Sequence, residues 1–169
     1  MRRVIVALFC LSWLTVPSLQ ALPLSDALAM FGSGATQPNR CGADRKRGNN
    51  GEVSRYQIMP AVWRQYSRTF EFEDPKAAWS VAECILTSRM QWFRDSTRRD
   101  PTSLEIYLLW NKPGHFKAVN FEVKRVNARY KERAQRFANL CAPNCMLISM
   151  VSPGGSTAGA SAPRNSPGL

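Results

Sequence analysis

Between Gly51 and Tyr66 the chain reads Gly-Glu-Val-Ser-Arg-Tyr-Gln-Ile-Met-Pro-Ala-Val-Trp-Arg-Gln-Tyr, which places a carboxylate, an amide, a phenol and an indole in one short segment. Such a set suits the floor of a cleft that holds a polar, ring-shaped ligand. Glu52 could exchange a proton, Gln57 could engage a ligand with both ends of its amide, and Tyr56 and Trp63 offer flat faces for a sugar ring. The same spacing of Ile58, Val62 and Trp63 also fits a buried core, so both readings stand at this point. The single histidine, His115, lies far down the chain, just after Asn111-Lys112-Pro113-Gly114.

Helices are expected to position these groups. Ser25 can cap a short helix over Asp26 to Phe31 that stops at Gly32-Ser33-Gly34, where glycine favours a left-handed exit. A polar loop from Ala35 to Asn50 carries Cys41 and the run Arg45-Lys46-Arg47, read as solvated. Asp74-Pro75 starts the longest buried helix, with Ala78, Val81, Ala82, Ile85, Leu86 and Phe93 at helical spacing up to about Arg94. Asp100-Pro101 repeats the signal for a helix from Thr102 to about Trp110, which Asn111-Lys112-Pro113-Gly114 ends. A third helix is expected from Phe121 to Cys141, with an apolar face and a solvated basic face. The fold class is therefore mainly α, a single domain with a small irregular or β loop region.

Met1-Arg2-Arg3, the apolar run Val4 to Val16 and the segment ending at Ala21 have the form of a secretory signal, so export to the periplasm or beyond is expected. The domain is expected over residues 22–151, with a disordered Gly/Ser/Ala/Pro tail over 152–169. Met146 to Val151 either packs back on the domain or forms an edge strand. Without the signal, Cys41, Cys84, Cys141 and Cys145 remain, an even number that suits two disulfides. Cys141 to Cys145 could close a tight loop and leave Cys41 to Cys84 as the long-range link. A four-cysteine zinc site lacks any Cys-x-x-Cys knuckle, and neither a metal nor a cofactor is expected. The formal charge of +11 points to an anionic partner, which for an exported chain means cell-wall glycan or an anionic envelope surface rather than nucleic acid. Phosphate loops, nucleotide fingerprints and serine-nucleophile elbows are missing, so phosphoryl-transfer, redox and serine-hydrolase chemistry have no support.

The order of helix, loop, Tyr56-Gln57-Ile58-Met59-Pro60, capped long helix and Leu109-Trp110-Asn111-Lys112-Pro113-Gly114 resembles the soluble lytic transglycosylase and goose-type lysozyme families. The resemblance covers about Ser25 to Cys141. It implies a lysozyme-like fold and action on the β-1,4 link between N-acetylmuramic acid and N-acetylglucosamine in peptidoglycan. Gln57, Ile58, Met59 and Pro60 match the family's Gln-Ile-Met-Pro segment, and Asn111 matches its Ala-Tyr-Asn motif, with Trp110 in place of the tyrosine. The family's catalytic glutamate, at the end of the first helix, corresponds to Gly32 in Phe31-Gly32-Ser33-Gly34. Glycine can neither protonate a leaving oxygen nor accept a proton, and general acid–base help is typically worth about 10²–10⁴-fold.

Two functions follow from the resemblance. One is an exported glycosidase or lytic transglycosylase in which Glu52 is the catalytic carboxylate and Gln57, Tyr56, Trp110 and Asn111 bind substrate. A lone carboxylate on a polar loop near Arg55 should, however, stay ionised, or simply pair with that arginine. The other is a glycan-binding module that lost its acid at position 32, in which Gly32→Glu would restore cutting. Asp26 reads as a helix N-terminal charge, and His115 as an incidental loop residue.

Overall fold

The computed structural model describes residues 21–37, 40 and 42–141. The expected signal up to residue 20, the run Met146 to Val151, the tail, Cys41 and Cys145 lie outside the described residues. Within them the chain is mainly helical, with six α-helices and no sheet: α1 Leu24–Ser33, α2 Pro60–Tyr66, α3 Pro75–Thr97, α4 Ser103–Asn111, α5 Pro113–Ala118 and α6 Ala128–Ala138. None of these is long and apolar enough to cross a membrane.

Local chemistry sets most boundaries. Asp74 accepts a hydrogen bond from the Ala77 amide at 2.6 Å and Pro75 opens α3, as the sequence signal requires. The helix runs past the expected Arg94 to Thr97, and Arg98 closes it in the left-handed conformation (φ 60°). Gly34, at φ 68°, ends α1, whereas Gly32 lies inside the helix and Ser25 does not cap it. α4 is capped by Thr102 rather than by the Asp100-Pro101 signal. Thr102 and Glu105 form a reciprocal capping box, while Asp100 pairs with Arg94 at 2.6 Å.

Two expectations fail for identifiable reasons. Pro113 ends α4 but also suits the first turn of a new helix, so α5 starts there and His115 is helical rather than in a loop. The single helix expected from Phe121 to Cys141 is broken. Asn120 and Phe121 have φ of 55° and 59°, a 3₁₀ turn spans Val123–Arg125, and the Asn127 side chain caps α6 by accepting from the Arg129 amide at 2.9 Å. The turn drives the Phe121 ring onto Trp92 and Phe93, with ring centroids 5.0 and 5.3 Å away. Burial of that ring outweighs the local preference for continuous helix.

α4 is the centre of the molecule. Its residues Glu105 to Leu109 are all buried, and α3, α5 and α6 pack around it, while α1 packs on α6 and α2 on α3. Phe31, Tyr107 and Phe137 tie α1, α4 and α6 together through rings 4.9 to 5.5 Å apart. The Leu22 amide donates to the Leu140 carbonyl at 2.8 Å, joining the two ends of the described unit. Trp63 is fully buried: its ring meets Phe72 edge-on at 5.0 Å and its indole N–H donates to the Thr69 carbonyl at 2.7 Å. Trp63 is thus a core residue and not a platform for a sugar. Trp63→Phe keeps most of the apolar volume but leaves the Thr69 carbonyl without that donor, and a loss of about 1–2 kcal/mol is expected in denaturant unfolding.

Candidate functional site

The segment that carries Glu52 and Gln57 is a very short hairpin. Val53 and Ile58 exchange both backbone hydrogen bonds, at 2.8 and 2.9 Å, around the four-residue loop Ser54-Arg55-Tyr56-Gln57. Closing so tight a loop places Ser54 and Gln57 at φ 63° and 55°. The Ser54 hydroxyl accepts from the Tyr56 amide at 3.2 Å, and the Gln57 amide donates to the Ser54 carbonyl at 3.1 Å. Arg55 does not pair with Glu52. It turns inward and forms a two-point ion pair with Asp44, both bonds at 2.5 Å, which pins the hairpin to the preceding loop.

The hairpin faces the C-terminal end of α4 across an open cleft of about 520 Å³. Glu52, Gln57, Trp110, Asn111 and Gly32 all line it, although they are widely separated in sequence. Tyr56 lines it too, but only 3% of the residue is exposed and its ring leans on Trp79 at 5.7 Å. Burial pushes the Tyr56 hydroxyl up to about 12. Its expected role as an open stacking face is therefore corrected: the hairpin loop turns the ring into the core.

Gln57 is more restricted than its type suggests. Its side-chain N–H groups donate to the carbonyls of Lys46 at 3.1 Å and Ser54 at 3.0 Å, so both donors are committed and Oε1 remains to accept from a ligand. Gly48 makes this packing feasible, because a Cβ there would lie 2.6 Å from the Gln57 Oε1 and would also strike the Glu52 carboxylate. Asn111, the last residue of α4, has a side-chain amide that bonds to no other described residue. Trp110 has one ring face covered by the Arg89 guanidinium at 5.7 Å.

Glu52 is half-buried. Its Oε1 accepts from the Asn50 side-chain amide at 3.0 Å and its Oε2 from the Asn50 backbone amide at 2.9 Å. The Asn50 side chain first, then the Glu52 backbone amide and, less strongly, the Asn50 backbone amide and the charge of Lys112 hold the carboxyl below the usual carboxylate range against the opposing effect of burial. A carboxylate so held is ionised at neutral pH and has no proton to give a leaving group. Among the described residues it is the cleft's one carboxylate.

Gly32 sits where the resemblance would put the acid, and the fold leaves no room there. A Cβ at this position would lie 2.5 Å from the Arg55 carbonyl oxygen and 3.3 Å from the Tyr56 Cα. The expectation that Gly32→Glu simply restores an acid is therefore corrected. His115 is not at the cleft: its ring meets Tyr130 at 5.3 Å, and its Nε2 accepts from the Asn127 amide at 3.4 Å. Cys84 is exposed on α3 and Cys141 is buried, and among the described residues no disulfide forms. Asp26 lies in the first turn of α1, where a negative charge suits the helix N-terminus.

Sequence reasoning missed the cations of the cleft. Lys46 and Arg47, read as part of a solvated run, line it together with Arg89, Lys112 and Arg133. Charge carries no periodicity, so only the chain's overall basic balance hinted at them. No protein-family model, curated protein or solved structure matches this chain.

Proposed function

We infer that the chain is an exported, peptidoglycan-directed protein of lysozyme-like architecture whose cleft holds glycan strands without general-acid cleavage. The observation that carries this reading is the convergence of Gln57, Trp110 and Asn111 on one cleft whose one carboxylate, Glu52, is held ionised. Gln57 Oε1 can accept from an acetamido N–H or a hydroxyl, the free Asn111 amide can both donate and accept, and the remaining face of Trp110 can carry a sugar ring. Cutting a glycosidic link requires a proton donor at the leaving oxygen, and Glu52 meets none of that need.

A second reading has its own support, since Glu52 faces the same cleft as the ligand-holding groups. In that reading Glu52 acts as a base or stabilises positive charge, and the protein is a slow lytic transglycosylase or lysozyme-type hydrolase. Product analysis of purified peptidoglycan incubated with the protein separates the two. Sedimentation with the wall and no soluble fragments is expected. Anhydro-muramyl or reducing ends that vanish in Glu52→Gln would replace the binding reading with the enzymatic one.

A further inference from the structure

The five cations lining the cleft, Lys46, Arg47, Arg89, Lys112 and Arg133, face one carboxylate. All 12 acidic residues of the sequence fall among the described residues, so no acidic side chain outside them can supply a counter-charge. The ion pairs of the fold engage Arg45, Arg55, Arg94, Arg99, Lys124 and Arg125, and none of the five cleft cations. Neutral groups hold those five instead. Lys46 donates to the Ser33 carbonyl, and Arg133 to the Phe31 carbonyl at 3.4 Å. Arg47 lies over Phe72 at 5.6 Å and Lys112 over Tyr130 at 5.3 Å. Carbonyls and ring faces orient a cation without cancelling its charge.

Arg89 is the most developed of these groups. Its Nη1 donates to the last carbonyls of α4, Leu109 at 2.9 Å and Trp110 at 2.7 Å, which fixes the guanidinium plane. Nε and Nη2 bond to no other described residue, leaving the edge of the fork that receives a carboxylate in two-point fashion. Burial lowers the Arg89 pKa, with the nearby Tyr66 opposing it, yet a guanidinium stays protonated at neutral pH, so Arg89 brings a partly desolvated positive charge to the cleft.

We propose that the cleft selects glycan strands whose sugars themselves carry carboxylates, with the open edge of the Arg89 guanidinium as the carboxylate-binding group. The inference rests on the glycan reading above and adds the substrate class: peptidoglycan stripped of its peptides, where each muramyl lactyl group ends in a free carboxylate. In peptide-bearing strands the same group is an amide. A carboxylate on the sugar itself reaches these cations, because they share the cleft with the groups that would hold the ring.

The test measures affinity for amidase-stripped strands, peptide-bearing strands, a neutral N-acetylglucosamine oligomer and polyglycerol phosphate. Stripped strands are expected to bind roughly tenfold tighter than the neutral oligomer at low salt, with the advantage shrinking as salt rises. Arg89→Gln should bring that ratio close to one. If Arg89→Gln fails to fold, the pair Arg47→Gln and Lys112→Gln should lower the ratio instead. Equal affinity for stripped and neutral strands, or tighter binding to peptide-bearing strands or to the phosphate polymer, overturns the carboxylate inference while leaving glycan binding in place. Binding to no glycan removes both.

Discussion

Gly32→Glu is expected to unfold about 3 kcal/mol more easily than the natural chain and to release no fragments from peptidoglycan. Position 32 is inside α1, where replacing glycine by a residue with a side chain would ordinarily gain about 1 kcal/mol of helix propensity. The contact with the hairpin outweighs that gain. A Cβ would meet the Arg55 carbonyl oxygen at 2.5 Å; the oxygen is backbone and the Cβ is fixed rigidly to its own Cα, so neither can move aside as the far end of a flexible side chain would. Relief requires α1 and the hairpin to separate, which disturbs Val53, Tyr56 and Ile58 in the core. Gly32→Ala isolates the steric part and should cost about 2 kcal/mol. The denaturant midpoint gives both values, and a Gly32→Glu variant of natural stability that cuts the wall would show that the site is a family site lacking only its acid.

Glu105→Ala is expected to lose about 2–4 kcal/mol. Glu105 is 3% exposed, yet each of its oxygens is engaged: Arg99 donates to both, at 2.5 and 2.8 Å, and the Thr102 amide donates to Oε2 at 2.8 Å. Burial alone would push this carboxyl up, but the bonds from Arg99 and Thr102 together bring it below the ordinary carboxylate range. Removing it opens a gap beside the central helix and deletes half of the capping box. Arg99, about half exposed, can return to solvent, so the cost stays below that of stranding a buried charge. The pH dependence has a definite sign. A carboxyl whose folded pKa is depressed contributes its full stability above its unfolded value, about 4.3, and loses it as pH falls toward the lower folded value. The difference between natural protein and Glu105→Gln should therefore be constant near neutrality and shrink below about pH 4, as thermal unfolding across that range would reveal. A difference that grows in acid would mean the carboxyl is raised rather than lowered.

Local signals in the sequence carried the helices that own them. Asp74-Pro75 and Gly34 act on neighbouring atoms, and the apolar stripe from Ala78 to Phe93 needs no partner to be recognised. Where the fold departs from expectation, long-range packing decides. Phe121 gives up helix to reach Trp92 and Phe93, and Tyr56, in a polar-looking segment, is swung inward by a hairpin whose geometry depends on Arg55 meeting Asp44. Glu52 and Gln57 were legible from their residue types, Trp110 and Asn111 only through the resemblance of their motif, and all four line the cleft. The split use of the Gln57 amide was not legible, since it depends on the carbonyls of Lys46 and Ser54. The cleft cations were hidden for a similar reason: Arg133 on α6 and Arg89 on α3 look like ordinary solvated charges until the packing of α4 aims them at one space.

Co-sedimentation with purified, insoluble peptidoglycan tests the central claim most directly, using the natural protein beside Asn111→Ala and recording the fraction bound and any soluble sugar. The natural protein should leave the supernatant, Asn111→Ala should remain there in larger part, and no soluble fragment should appear. Natural protein that stays in solution at low salt, or binding indifferent to Asn111, would contradict the assignment of this cleft to glycan.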